Sequence, residues 1–594
     1  MLRVTCAALL VWVLPAANVA FGQQQGVTYV VRNVNVISMT EAGVRGAQDV
    51  VIRGRTIVAV VPAGTAMPPR GAVVIDGRGQ YLMPGLIDSH VHIKERDPLF
   101  LFVAAGVTTA QNMSGRPFHL QMRERTNSGA LLGPRIVTTG PTTAEVGVTT
   151  PEEVRRLVAD QKQAGYDAIK MYGSRGGDMT PESYRALIEA AGLHGMRVVG
   201  HAPRNLPFQI VLDERQSSID HMEEIVYTHR PFARWLGPYV DLQFGRVTPA
   251  VRDSLAQARV PDFARELEPE ITALAQAVQR AGLAVTPNIV FFRNIQWMTT
   301  DSIHALLRGA ELKYAAPEQR LNWSPLLNRY SNAWHDRRAT VSAYLAEVVD
   351  LQRAITRAFS KVGVPLMTGT DAEFLGAQPG FSVHTELELF VDLGMSPIEA
   401  LRAATVTPAR VLRIADSVGT VDPGKVADLV LLRADPRANI RNTRAINGVF
   451  RAGRWLARAE IEARLDSLVE SYRPTQTALA AFMQALETRG AAAALDVYRQ
   501  SSQQTQIAKA VENVINSYGY RVLREKGAKE AIQVFLLNTE TFPREYNTWD
   551  SLAEAYLEDG QRDLAIQYYR KVLELRPGDE NATRMLRQIE STAP

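Results

Sequence analysis

Two histidines separated by one residue close an apolar run, Leu82-Met83-Pro84-Gly85-Leu86-Ile87-Asp88-Ser89-His90-Val91-His92. Side chains alternate along an extended strand, so His90 and His92 fall on one face, a geometry that can begin a metal site. The pattern recurs downstream. Ala168-Ile169-Lys170-Met171-Tyr172 closes an apolar run with a lysine, Val198-Val199-Gly200-His201 and Ile219-Asp220-His221 close two more with histidines, and the run 364–371 ends at Asp371. Imidazole nitrogen and carboxylate oxygen both bind divalent metals. Each of these residues sits at the C-terminal end of a candidate strand, and a parallel barrel gathers such ends onto one face.

These motifs, in this order, resemble the amidohydrolase superfamily in its imidazolonepropionase-like and prolidase-like branch, over roughly residues 27–457. The resemblance implies His90 and His92 on one metal, His201 and His221 on a second, Lys170 bridging the two, and Asp371 at the last barrel strand. It also implies that Lys170 is carboxylated on its Nζ. A protonated ammonium has no lone pair, but burial near cations favours the neutral amine, which can capture carbon dioxide as a carbamate. The cofactors expected are therefore two divalent ions, zinc by the donor types.

A divalent metal lowers the pKa of water from ~15.7 to about 7, and a second ion polarises the scissile carbonyl. Asp371 is the expected general base and then proton donor to the leaving amine. Tyr172 and Tyr227, just beyond Lys170 and His221, and His384, read as lying in the loop after Asp371, are the candidate substrate contacts. His229, Arg204 and Arg230 carry weaker signals, while His119, His194, His304 and His335 lack strand-end settings and read as structural or exposed. Relatives often carry Arg-Asp after the second strand, whereas here Thr108-Thr109 is followed by Ala110-Gln111-Asn112. That departure leaves the chemistry standing and bears on the substrate.

The expected function is hydrolysis of an amide C–N bond in a dipeptide-like, N-acyl amino acid or cyclic amide substrate. An esterase or lactonase on the same site, and an inert barrel carrying a protein-binding tail, are the alternatives. A deaminase of this superfamily would carry a glutamate shortly after the fifth strand's histidine, and His201 is followed by Ala202-Pro203-Arg204.

The elements that must position these residues follow from the flanking patterns. Short Val/Ile-rich runs at 27–61 and again at 418–453 read as strands. The resemblance implies that both ends, 23–84 and 415–460, form a β sandwich beside a (β/α)8 TIM barrel at 85–414. Helices are expected at 151–164, 181–193 and 397–412, each opened by Thr-Pro or Ser-Pro. The long stretch 232–361, with Trp235, Trp297, Trp323 and Trp334, reads as a barrel unit with a helical insertion.

From about 461 to 594 the chain turns helical in pattern, and Ala531, Phe535 and Pro543 recur as Ala565, Tyr569 and Pro577 at an offset of 34 residues, the tetratricopeptide period. This tail is expected to form its own core as a stabilising appendage or a docking surface for a protein partner, and to be removable with the enzyme left folded. Residues 1–22, with Arg3, an apolar run and small residues at Ala20 and Gly22, read as a cleaved signal peptide for periplasmic or secreted export. Cys6, the only cysteine, lies within that segment. Formal charge is +4 over 594 residues with no basic run interleaved with aromatics, which argues against nucleic acid as a partner. A small-molecule substrate is expected, and self-association into a homo-oligomer is left open.

Overall fold

The computed structural model describes residues 26–40, 43–172, 179–243, 245–328, 330, 334 and 337–591. The expected signal peptide, Cys6 and His335 lie outside them. Beginning at the N-terminal side, β1 (Thr28–Val36), β2 (Arg45–Arg53), β3 (Thr56–Pro62), β4 (Val73–Asp76) and β5 (Tyr81–Pro84) follow one another. They share one hydrogen-bonded sheet of eight strands with the late strands β13 (Leu429–Leu432), β14 (Ile446–Arg451) and β15 (Arg454–Ala457), through antiparallel pairing of β5 with β13.

The two ends therefore pair as expected, but in one branched sheet rather than two separate ones. The cause is the length of β1: its first half pairs β4 at Tyr29–Arg32, and its end pairs β5 at Asn35 and Val36, while β2 takes the other edge. Alternate apolar residues, Val31, Val34, Val50, Ile52, Leu429, Leu431 and Phe450 among them, close a core of their own.

Past Gly85 the strands run parallel. β6 (Leu86–Val91) pairs β7 (Val107–Asn112), which pairs β8 (Arg135–Thr138). β9 (Ala168–Met171) pairs β10 (Arg197–Gly200), and β11 (Ser218–Asp220) pairs β12 (Ala284–Thr286). Single links join these groups: a parallel bridge from Thr139 to Ala168, a bond from the Ser217 N–H to the Val198 carbonyl (3.0 Å), and a parallel bridge from Val285 to Leu366. The segment at 364–372 then returns to β6, where the Ser89 N–H donates to the Thr368 carbonyl (2.9 Å) and Val91 bridges Ala372.

Helices join successive strands, as parallel pairing requires. Pro151–Ala164 buries Val154, Leu157, Val158 and Gln161, one face at helical spacing. Thr150 and Glu153 cap it reciprocally and left-handed Gly165 ends it. Pro181–Leu193 likewise starts on a Thr180 cap. The single helix expected over 397–412 is two, Pro397–Ala403 and Val406–Val411. Pro408 explains the break, since it has no N–H to give the carbonyl of Ala404 four residues back and its ring crowds that carbonyl.

The stretch 232–361 holds β12 and is otherwise largely helical, as expected of a barrel unit with a helical insertion, running into the helix Arg338–Val362, with Trp323 and Trp334 buried. The tail is helical too, but the expected boundary at 461 falls inside one 32-residue helix, Arg458–Arg489. Ile461 and Leu465 on its first half belong to the main core, whereas Leu479, Phe482 and Leu486 on its second half belong to the tail's. Leu321, Leu326 and Leu327 of the insertion pack on the tail core as well. Position 461 therefore does not separate two cores, and whether truncation there leaves a folded, metal-binding enzyme is a matter for experiment.

Candidate metal centre

His90 lies near the end of β6, Lys170 in β9, His201 just after β10, His221 just after β11, and Asp371 at the end of the segment that returns to β6. The C-terminal ends of these segments bring their side chains together. The Nε2 atoms of His90 and His92 face each other at 3.4 Å, and Asp371 Oδ1 stands 3.3 Å from the first and 3.2 Å from the second. Ring centroids of His90 and His221 are 4.6 Å apart, and those of His201 and His221 4.9 Å. Lys170, almost fully buried, directs Nζ toward Asp220 Oδ2 at 3.4 Å, and the same oxygen lies 3.2 Å from His90 Nδ1. The side chain of His92 is 25% exposed while that of His90 is fully covered, so the cluster opens to solvent on the His92 side.

Two glycines make room for this convergence. A Cβ on Gly200 would stand 2.5 Å from Lys170 Cδ, and one on Gly369 would stand 2.3 Å from Thr286 Cγ2 and 3.0 Å from His90 Cβ. His221 and Asp371 themselves adopt positive φ, 68° and 56°, a conformation that costs free energy in an L residue and is found where surroundings hold a functional side chain in place.

Electrostatics favour neutral imidazoles at His90, His201 and His221. Burial, with Lys170 beside it, takes His90 down to about 4, and burial holds His201 and His221 below the ordinary histidine range. Burial also pushes Lys170 down. Burial alone would raise Asp371, but the hydrogen bond from His92 and the neighbouring histidines outweigh it and hold the carboxyl well below the usual range. Asp220 behaves the same way, with Lys170 and His90 outweighing burial.

Imidazole lone pairs and a carboxylate oxygen that crowd one point repel each other unless a shared proton or a cation lies between them. Donor atoms of a tetrahedral site with bonds of 2.0–2.1 Å stand about 3.3 Å apart, and the three separations here, 3.2, 3.3 and 3.4 Å, match. His90, His221 and Asp371 also offer donor atoms all within 4.8 Å of one another. His221 Nδ1 and Asp220 Oδ1 are buried without hydrogen-bond partners, as they would be with an ion to meet. The donor set thus fits divalent metal.

Three carboxylates at this site carried no signal of their own in the sequence. Glu224 Oε1 stands 2.8 Å from His201 Nδ1, which leaves His201 Nε2 free to face the cluster, and Glu224 is itself gripped by Arg204. Asp220 joins Lys170 to His90. Asp88 accepts from the Thr370 hydroxyl (2.7 Å) and the Thr370 N–H (3.1 Å), tying β6 to the segment that bears Asp371. The one clue available for Asp220 and Glu224 was their position, one residue before and three after His221, and acids there equally suit a helix N-terminus.

Of the expected substrate contacts, Tyr172 lies against His201, ring centroids 4.5 Å apart and planes tilted by 60°, and borders the cluster. Tyr227 lies instead under the Arg204 guanidinium, 5.5 Å from its ring centre. His384 is corrected. It sits in the helix Phe381–Asp392, buried, with Nδ1 2.9 Å from the Thr443 hydroxyl and Nε2 donating to the Ala105 carbonyl at 3.0 Å, so both nitrogens serve packing. His119 is structural as expected, its ring bonding the Arg116 N–H and the Ile93 carbonyl, and His194 and His304 are exposed.

The chain belongs to the amidohydrolase family, whose model matches residues 81–456. It is 23% identical to an adenine deaminase of Rubrobacter xylanophilus over 69% of this chain and 54% of that protein, and so spans about half the length of that relative. It is 27% identical to an imidazolonepropionase of Chloroflexus aggregans over 67% of this chain and 87% of that one. Among solved structures, bottromycin amidohydrolase shares the fold at a TM-score of 0.56 and 23% identity, covering 75% of this chain and 90% of that chain. A Xaa-Pro dipeptidase with bound methionine shares it at 0.51 and 20%, covering 72% and 100%.

Proposed function

We propose that this chain is a metal-dependent hydrolase that cleaves an amide C–N bond of a small substrate, of the dipeptide-like, N-acyl amino acid or cyclic amide class. The observation that carries this reading is the trio His90 Nε2, His92 Nε2 and Asp371 Oδ1 at metal-site spacing. His201 and His221, with Lys170 carboxylated on Nζ, would hold a second ion beside the first. Divalent ions, zinc by donor type, would supply an acidified water and a polarised carbonyl. Asp371 takes the proton from the attacking water and returns it to the leaving nitrogen. Asp220 and Glu224 fix the orientation of His90 and His201, and Tyr172 borders the space above His201.

The wider architecture is read in the same way. The return of segment 364–372 to β6 supports a closed (β/α)8 barrel at 85–414 beside the composite β domain of 23–84 and 415–460. The 34-residue recurrence supports tetratricopeptide-like repeats in the tail, with a protein partner there as a further reading, and the N-terminal pattern supports export through a signal peptide. Deamination is a second functional reading, favoured by the adenine deaminase relatives.

Zinc-loaded protein should be assayed against N-acyl amino acids, dipeptides, cyclic amides, lactones and adenine. Turnover of an amide class, abolished by chelation and restored by metal, is the expected result. Turnover of adenine or lactones alone would replace the amide reading.

A further inference from the structure

Behind the loop that follows Asp371 lies a partly enclosed cavity of about 170 Å³ that none of the metal donors lines. Its polar walls are Arg293, Asn294, Glu311, Gln378, Ser382 and Thr385, with Trp297 beside them. Arg293 dominates it. Its guanidinium lies 4.5 Å above the Trp297 ring, and Nη2 donates to Asn294 Oδ1 at 3.0 Å. Nε is buried without a hydrogen-bond partner.

Among the described residues no carboxylate stands within ion-pair distance of Arg293. The acids nearest it are committed elsewhere: Glu311, which also lines the cavity, and Glu388 both pair with Arg444, and Glu386 accepts the N–H groups of Ile289 and Val290. Gln378, 3% exposed, presents a second unsatisfied group, Oε1. A half-turn of that amide presents Nε2 as a donor in its place. A mostly buried cation without a counter-ion is costly, and burial already pushes the Arg293 pKa down.

We propose that this cavity is a binding site for a carboxylate, held by the Arg293 guanidinium and the Gln378 amide. A carboxylate supplies the missing counter-charge, and two oxygens match the planar donor edge of arginine. Asn294 Nδ2 also donates to the Leu375 carbonyl at 3.0 Å, so an occupant of this cavity bears on the loop that carries Asp371. The proposal does not rest on the hydrolytic reading, since the site holds none of the metal donors.

The test is thermal stability of the full chain, with and without metal, titrated with sodium acetate and separately with N-acetylglycine, against sodium chloride at equal ionic strength. Acetate represents a free small carboxylate and N-acetylglycine one carried by a larger molecule. Stabilisation by either, present in metal-free protein and weakened at least about tenfold in apparent affinity by Arg293→Gln, is expected. Gln378→Met, which leaves the guanidinium in place, should weaken it too and keeps the test open if Arg293→Gln does not fold. No stabilisation by either probe, or an unchanged response in the variants, would overturn the site and leave a water-filled cavity.

Discussion

Glu224 bonds His201 Nδ1 at 2.8 Å, so on the proposed reading it would act on the metal through that histidine. Its carboxylate fixes which imidazole nitrogen carries the proton, so Glu224→Gln should weaken zinc binding by about 10- to 100-fold, measured by competition with a chromophoric chelator, while the fold survives. An unchanged affinity would mean that packing alone orients His201. Asp371, in contrast, is the proposed base and would act on the water itself. Asp371→Asn should lower kcat by at least ~10²-fold in metal-replete protein; near wild-type turnover would remove it as the base. The residues legible in the sequence were those whose type is rare at a strand end: His90, His92, Lys170, His201, His221 and Asp371. Asp88, Asp220 and Glu224 escaped because an acid beside a histidine has many ordinary roles. His384 was misplaced because the residues before it look like loop, whereas Gly380, at φ 76°, starts a buried helix there.

At the scale of elements, the ends of strands depend on residues that contribute no donor. Gly200 ends β10 at φ 106°, with Lys170 Cδ where a Cβ would go. Gly200→Ala should therefore cost about 1–3 kcal/mol and displace Lys170, read as a lower Tm together with weaker metal binding. A Tm within error of the parent would show that the strand end relaxes freely. Glu386 joins two other elements, its carboxylate accepting from the first N–H groups of the helix Ile289–Met298. Burial raises its pKa from 4.5 to about 7. The folded protein then holds a proton that the unfolded chain releases, so this contribution is complete below pH ~4.5 and fades as pH rises through 7. Relative to Glu386→Gln, the parent should lose on the order of 3 kcal/mol across that window, and parallel Tm profiles from pH 4.5 to 7.5 would refute the assignment. Helices with a Thr-Pro start were legible to their bounds, while the break at Thr405 needed the effect of Pro408 on the turn before it.

At the scale of the whole molecule, the tail is bound in by one shared helix and by a short chain of contacts to the site. Ile461 and Leu465 lie in the main core, and Leu321, Leu326 and Leu327 lie against the tail core. On the same short helix as Leu321, Gln319 Nε2 donates to the Glu373 carbonyl at 2.9 Å, two residues past Asp371. The 34-residue repeat signalled helices that pack among themselves, but the sequence offered no sign that the first would serve two cores, because periodicity says which face is apolar and not what covers it. Two truncations separate the consequences. Ending the chain at residue 457 deletes Ile461 and Leu465, each worth about 2–5 kcal/mol when buried. Ending it at residue 475 keeps both and uncovers only the insertion leucines. The shorter chain should melt at least about 5 °C below the longer one or aggregate. The longer should fold and bind metal, with activity lowered severalfold because Gln319 then sits on a loosened helix. Restoring the tail residues as a separate polypeptide should recover that activity if the loss travels through this contact. Equal melting temperatures would mean that the shared helix contributes nothing to the main core and that the tail is separable at 461 after all.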